Sequence, residues 1–429
     1  MLPNLPIVLD GRPVEKITAF LFHKGGNDDP KPLAANAGKS FQGSIVLGMG
    51  FTFDDTNPQA TALAEMQRLI ETDPRNGERI FPYIGGEEVN SSPTHAHHRY
   101  AINFGEMSEE EARQWPDLMA IVEEKVKPKR LTDKRASYRK YWWQYAEKRV
   151  DLFKAIAHCD RALIIPCGAT PHVAFACLPS NYVFANTLNV FPLEQDSAFC
   201  ILQSRVHEIW ARFFGSSMKD DLRYTPSSCF ETFPFPENWE TAPNLEAIGQ
   251  TYYEFRADLM VRHNQGLTST YNRFHDPDER NPDILELRQL HGQMDRAVLD
   301  AYGWSDIDTP CGFALDYLDI DDEADLPAEV QERIACGDLF FPTADEAASF
   351  DSLVRTGKRK LPWRYRWPEA THDEVLARLL DLNQKHHEEE VLAGQPAEAK
   401  RKKKGNKGKK KGNKERAQSD TPMIPGLEV

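Results

Sequence analysis

The sequence predicts an α+β protein: a mixed α/β domain on a small curved sheet, then a mainly helical C-terminal region and a disordered basic tail. Three observations carry this. Short β-type runs between turn residues crowd the chain as far as Pro236. Long helical periodicities follow. Past Gly394 the composition narrows to Lys, Gly and Asn, with too little apolar surface to offset the entropy of ordering.

The first stretch, to about Thr72, opens with short β-like pieces. In Phe41-Gln42-Gly43-Ser44-Ile45-Val46-Leu47-Gly48-Met49-Gly50-Phe51, glycines punctuate apolar alternation, as they do where strands turn tightly or admit another backbone. Asn57 to Glu71 is helical, with Leu63, Met66, Leu69 and Ile70 on one side, and Asp73-Pro74 ends it. Ile80 to Ile84 and Tyr100 to Phe104 are strands separated by a polar loop, Glu87 to His98. Helices are expected from Ser108 to Lys125 and, cationic and aromatic, from Arg135 to His158. Ala162 to Pro166, His172 to Leu178 and Tyr182 to Phe184 complete the strands.

The clearest helix begins near Glu194, because Phe199, Leu202, Val206, Ile209 and Phe213 recur at spacings of three and four until Gly215-Ser216-Ser217. Leu245 to His263, Pro282 to Tyr302, Pro327 to Cys336 and His372 to Leu392 then read as an antiparallel helical assembly. The expected division is a connector at 1–75, an α/β domain at 76–240, a helical spacer at 241–305, a mainly helical region at 306–393 and a Lys-rich tail at 394–429.

The net charge of −14 averages two unlike parts: Lys400 to Arg416 holds eleven basic residues against Glu415, so the rest is strongly acidic. An acidic pI therefore does not exclude nucleic-acid binding. No apolar run reaches the roughly 18 residues that cross a bilayer, and Met1-Leu2-Pro3 begins no signal peptide, so a cytoplasmic protein with no membrane partner is expected. Seven cysteines, an odd count without a C-x-x-C pair, read as reduced core thiols.

Sites for chemistry fail on context. Gly38-Lys39-Ser40 has Leu33 where a phosphate loop needs glycine, and Gly48-Met49-Gly50 lacks the third glycine of a dinucleotide fingerprint. Asp117, Glu123, Glu124 and Lys125 share one helix, where a nuclease needs acids from separate strands. His95, His97 and His98 have no convincing further ligand. No catalytic residue, cofactor or metal site is therefore expected in this chain.

The residues do resemble a family. Phe41 to Phe51, Ile80-Phe81-Pro82-Tyr83-Ile84-Gly85-Gly86-Glu87-Glu88-Val89-Asn90 and Trp142 to Arg149 resemble the segment after the catalytic domain of MmeI-like adenine-specific DNA methyltransferases. Leu202 to Trp210, Leu222-Arg223-Tyr224-Thr225 and Cys229-Phe230-Glu231-Thr232-Phe233-Pro234-Phe235-Pro236 resemble the end of their target-recognition domain. Gly266 to Pro277, Leu290-His291 with Asp295, Ala301-Tyr302-Gly303-Trp304, Tyr365-Arg366-Trp367-Pro368 and Glu374 to Asn383 resemble the helical C-terminus of such type II restriction-modification and phage-defence enzymes.

The departures matter as much. Such a methyltransferase clamps a flipped adenine with Asn-Pro-Pro-Tyr beside a Gly-rich S-adenosylmethionine loop. Here Asn57-Pro58 continues as Gln59 and Asn281-Pro282 as Asp283. The resemblance thus implies a DNA target-recognition part or subunit, inactive alone. Its expected partners are double-stranded DNA, a separately encoded methyltransferase chain holding S-adenosylmethionine, and further defence-system subunits. The alternative is a non-catalytic DNA-binding scaffold in a defence complex.

Candidate DNA contacts follow from charge and position. Lys127 to Arg149 interleaves cations, Arg139, Lys140 and Arg149 among them, with Tyr138, Tyr141, Trp142, Trp143 and Tyr145. It reads equally as a phosphate-contacting surface or as an amphipathic helix with its aromatics in the core. Ser204, Arg205, Lys219, Arg223 and Tyr224 lie along the amphipathic helix and the turn after it, where each singly reads more readily as structural support for the Phe-Pro-Phe-Pro turn than as a DNA contact, and Ser180-Asn181 forms a polar turn with groove-contact chemistry. Phe230, Phe233 and Phe235 are expected to be packing. In the tail, Lys402, Lys403, Lys404, Lys409, Lys410 and Lys411 can contact phosphates without reading sequence or, alternatively, pair with acids such as Asp316 to Asp325.

Overall fold

The computed structural model describes residues 7–9, 12–14, 17–18, 28–168, 170–218, 221–315, 326–355 and 360–394. Within them the chain is α+β, with several small sheets and a helical C-terminal region. One sheet runs Phe41–Gln42, Leu188–Phe191, Arg161–Pro166, Ala176–Pro179, antiparallel throughout. Its inner strands bury nearly every residue, which explains the continuous apolar run Ala162 to Ile165. A second sheet orders Thr52–Phe53, Arg99–Ile102, Ile80–Ile84, Val183–Phe184, with the last pair parallel.

The two sheets share chain. Val183–Phe184 leads directly into Leu188–Phe191, and Ser44, just past Phe41–Gln42, bridges Ala185. Gly43 is required there: a Cβ would stand 2.1 Å from the Ala185 carbonyl oxygen. Gly50 likewise admits the helix Pro116–Lys125, since its Cβ would meet Lys125 Cβ at 2.4 Å. The glycine-punctuated segment is thus a place of close backbone approach, as its sequence predicts.

Helices Asp196–Gln203, Pro243–His263 and Pro282–Ala301 cover the first sheet, and Phe175, Phe199, Tyr252, Leu287 and Val298 lie in one core with it. Helix Glu369–Leu392 adds Val375, Leu376 and Leu379 to the same core. A three-stranded sheet, Phe340–Phe341, Gly312–Leu315, Trp363–Arg366, builds a smaller core around Phe313, Phe350 and Trp363 with helix Ala344–Val354. Phe230, Phe233 and Phe235 are all buried, as expected of pure packing.

Several expectations need correction. The helix expected near Glu194 is two, Asp196–Gln203 and Arg205–Phe214, because Ser204 is extended (φ −67°, ψ 159°) while the apolar spacing continues across it. Arg135 to His158 is likewise broken into Ala136–Lys140 and Val150–Ile156; between them Trp142, Trp143 and Tyr145 are buried in irregular chain. The first predicted helix starts only at Leu63, and Ser108 to Lys125 splits at Arg113 to Trp115. The loop after Ile84 opens as a short helix, Gly86–Ser91, where the Glu88 carboxylate accepts from Gly85 N at 3.0 Å and from Arg99 Nε at 2.6 Å. Leu267–Phe274 and Ala344–Val354 are helices the sequence reading passed over. All seven cysteines are free, but only Cys200 and Cys229 are buried, and Cys336 is exposed. Among the described residues no helix is long and apolar enough to cross a membrane.

Candidate nucleic-acid interface

The end of the first sheet where strand Arg161–Pro166 finishes gathers polar groups from distant parts of the chain. Gln42, on the outer strand, donates from Nε2 to the Asn186 carbonyl (3.0 Å) and accepts on Oε1 from Arg149 Nη2 (3.0 Å). Arg149 stands in the left-handed region (φ 54°) ahead of helix Val150–Ile156, and its Nε donates to the Gly43 carbonyl (3.3 Å).

The opposite wall is the turn between Phe184 and Leu188. Cys167 donates from N to the Thr187 carbonyl (2.8 Å) and from Sγ to that of Asn186 (3.1 Å). Thr187 Oγ1 accepts from Gly86 N (3.0 Å), so the short helix Gly86–Ser91 starts at this edge. Thr170 pairs with Leu222, which brings in the hairpin of Ser216–Met218 and Asp221–Arg223. Arg223 follows Leu222 directly and is exposed, so the Thr170 bridge carries it toward this edge; burial pushes the Cys167 thiol up, while Gln42 and the charge of Arg223 pull it back. Gln42, Gly168, Asn186, Thr187 and Arg223 are exposed there, and Arg149 is half-buried. Amides and guanidiniums on one rim can read the acceptor and donor pattern of a base edge.

Of the sequence-predicted residues, the structure brings Arg149 and Arg223 to this edge. Arg139 and Lys140 are exposed on helix Ala136–Lys140; Arg139 Nη1 donates to the Asp133 carbonyl (2.6 Å) and the Lys140 ammonium lies 5.0 Å over Tyr141. That cationic segment is tied to the edge through Glu147, which pairs with Ile45 and accepts from Tyr138 OH (3.2 Å). Asn181 is exposed and Ser180 half-buried, with Ser180 Oγ donating to the Cys159 carbonyl. They stand at the start of strand Arg161–Pro166, where Ser180 N bonds to Asp160, about 20 Å along the strand from Cys167.

Three candidates are structural instead. Ser204 is fully buried and donates to the Ile201 carbonyl (2.7 Å). Arg205, buried, is paired with Asp295 at 2.6 Å. Tyr224 is 1 % exposed and its hydroxyl meets His207 Nε2 at 3.0 Å. Their positions inside the core leave them no access to a nucleic acid. Lys219, Lys402, Lys403, Lys404, Lys409, Lys410, Lys411 and the segment Asp316 to Asp325 lie outside the described residues. Gln42, Asn186 and Thr187 were not singled out from sequence; only the sheet register assembles them.

The edge rests on a rigid polar frame. Buried Arg256 donates to the Phe175 carbonyl (2.6 Å), Tyr271 OH (3.1 Å) and Gln203 Oε1 (3.3 Å), locking strand-side chain to three helices. Among the described residues no carboxylate pairs with it, and it is satisfied by neutral acceptors and by the rings of Phe199 and Tyr253. The histidines considered as ligands each have a different partner: His95 Nδ1 lies 2.9 Å from the Val89 carbonyl, His97 packs edge-on against Tyr100 and Tyr182, and His98 faces Glu88 at 3.6 Å. Among the described residues, Glu369, His372 and Asp373 form the one His/carboxylate group close enough to share a cation, on a single helix turn. Lys39 pairs with Glu240 and Ser40 with Glu231, so neither is arranged around a phosphate.

The residue pattern of 36–237 matches the family model described as MmeI, target recognition domain. DNA methyltransferase A of Bacillus subtilis (strain 168) is 33 % identical over 104 residues, which are 24 % of this chain and 10 % of that protein. A solved structure of the Type IIL restriction-modification enzyme MmeI in complex with DNA superposes with a TM-score of 0.48 at 19 % identity, over 79 % of this chain and 39 % of that one. The chain thus spans well under half of either relative.

Proposed function

We propose that this chain, whose residues 36–237 match the family model described as MmeI, target recognition domain, is the DNA-sequence-recognition part of a type II restriction-modification adenine (N6) methyltransferase. The observation that carries the reading is the polar rim of exposed Gln42, Asn186, Thr187 and Arg223 with half-buried Arg149, every residue of which falls inside the matched range. Side chains on this rim read base edges in the major groove, while the cations around Lys140 and the Lys-rich tail hold phosphates and set register.

The chemistry belongs to a methyltransferase partner that holds S-adenosylmethionine and flips the adenine. The residues here do not fit that role. Asn281, one of two Asn-Pro pairs, spends its side chain on Asp283 N (2.9 Å) as the cap of helix Pro282–Ala301, and Asn57 Oδ1 accepts from Gln59 N (2.9 Å) in a tight turn. We therefore derive no methyl-transfer step from this chain. Incubation of the chain with labelled S-adenosylmethionine and duplex DNA is expected to give no labelled DNA until a methyltransferase partner is added. Label incorporated by the chain alone would contradict this division of labour.

A further inference from the structure

Gln42 differs from the arginines beside it on the rim because both ends of its amide are already engaged. Nε2 donates to the Asn186 carbonyl (3.0 Å) and Oε1 accepts from Arg149 Nη2 (3.0 Å). Chemistry excludes the reverse orientation, which would set the amide oxygen against a carbonyl and the amide NH2 against a guanidinium that can only donate. Both neighbours are held by other contacts as well. The Asn186 carbonyl also accepts from Cys167 Sγ (3.1 Å), and the Thr187 carbonyl accepts from Cys167 N (2.8 Å). Arg149 Nε is tied to the Gly43 carbonyl (3.3 Å), and Gly43 N to the Leu188 carbonyl (2.9 Å). The Cys167 thiol, which Gln42 also approaches, lies against the Asn186 carbonyl, so both are met from one side of the amide.

A primary amide carries two N–H donors and an oxygen with two lone pairs. Gln42 is exposed and both bonds lie at the surface, so among the described residues one N–H and one lone pair remain, on adjacent atoms of one planar group. That pair complements one base in the major groove. Adenine offers the N7 acceptor beside the N6 amine donor. Guanine offers two acceptors, one of which would face the amide oxygen, while cytosine offers only a donor and thymine only an acceptor. A freely turning amide would lose entropy on binding; here its orientation is set beforehand.

We propose that Gln42 reads one adenine, Nε2 donating to N7 and Oε1 accepting from N6, and that Arg149 is the positioning residue that fixes which way the amide faces. The assignment rests on the recognition reading above. It concerns a base that stays stacked in the duplex, not the one a methyltransferase flips.

The test uses the full chain and the duplex it selects, each adenine being replaced in turn by 7-deazaadenine, which keeps the N6 amine and lacks the N7 acceptor. At one position this is expected to weaken binding about 10-fold in the native chain and to leave Gln42→Ala unaffected. Gln42→Glu, whose carboxylate only accepts, is expected to move the preference there from adenine to cytosine. Arg149→Ala should shrink the 7-deazaadenine penalty at that same position, and Arg149→Lys, which still donates, should restore it. A penalty equal in the native chain and in Gln42→Ala at every position, or a Gln42→Glu chain that keeps adenine, overturns the assignment while sequence recognition stands. A penalty that Arg149→Ala leaves intact overturns the role given to Arg149. A chain that selects no duplex overturns the recognition reading and this assignment with it.

Discussion

Asp295, midway along helix Pro282–Ala301, holds Arg205 twice: Oδ1 accepts the Arg205 backbone N–H at 2.9 Å and Oδ2 accepts its guanidinium at 2.6 Å. One carboxylate therefore caps the second half of a broken helix and neutralises the first cation in it. Ser204 can be extended because the N–H that the break releases finds this acceptor. Asp295→Ala is expected to cost about 3–5 kcal/mol, since it leaves a buried guanidinium unpaired, and Asp295→Asn less, since an amide oxygen can still cap. Urea unfolding measures both; a loss below about 1 kcal/mol for the alanine variant contradicts the assignment.

A similar argument applies to Gly249. A Cβ there would stand 2.1 Å from the Asp196 carbonyl oxygen, so helices Pro243–His263 and Asp196–Gln203 cross at a distance only glycine permits. Gly249→Ala should destabilise the chain by about 1–3 kcal/mol through overpacking, despite the higher helix propensity of alanine. Thermal unfolding that is unchanged or raised would show that the helices separate without cost.

Stability should also fall in mild acid. Burial, with the charge of Arg256 nearby, lowers His95 to about 4; burial, with Arg364, lowers His172 to about 3; and burial lowers His207 to about 3. In the unfolded chain each titrates near 6.5. Below that pH the unfolded chain takes protons that the folded chain refuses. The stabilisation is complete above about pH 6.5 and is lost as pH falls, toward about 4 for His95 and toward about 3 for His172 and His207, at roughly 1.4 kcal/mol per unit for each histidine. Urea midpoints near pH 7 and near pH 5 test this, the lower midpoint being expected at the lower pH. Equal midpoints would mean that these rings reach solvent.

For DNA, the rim and the cationic segment should behave differently. Gln42→Ala and Arg223→Gln are each expected to lower affinity for the preferred duplex by about 1–3 kcal/mol and to relax preference at one position. Arg139→Gln and Lys140→Gln should weaken all duplexes alike and reduce the salt slope by about 0.9 per residue. Binding titrations at several salt concentrations separate the two patterns. If the rim variants also lose affinity uniformly, the rim holds backbone and the reading surface lies elsewhere.

The sequence exposes most of the scaffold and little of the rim. Strand Arg161–Pro166, the helices after Pro243 and Pro282, and the packing of Phe230, Phe233 and Phe235 are legible because burial periodicity and proline placement are local signals. The break at Ser204 is not, because the residue that permits it, Asp295, comes 90 residues later. Arg205 and Tyr224 look like surface contacts for the same reason: their partners Asp295 and His207 are supplied by tertiary packing. Trp142, Trp143 and Tyr145 have helical neighbours in sequence but are held in irregular chain, with Trp143 Nε1 donating to the Met107 carbonyl at 2.9 Å. The rim itself joins Gln42 to Arg149 and Asn186 across more than a hundred residues, a juxtaposition that only strand register creates.

The measurement that tests the central claim is selection of bound duplexes from a random DNA pool at near-physiological salt. Three full-length chains are compared: the native one, one with Gln42→Ala and Arg223→Gln, and one with Lys402, Lys403, Lys404, Lys409, Lys410 and Lys411 changed to Gln. One short motif is expected from the native chain, the same motif at lower affinity from the tail variant, and a degraded motif from the rim variant. If no motif emerges, or if enrichment lacks sequence and vanishes with the tail charges, the folded body does not read DNA by itself.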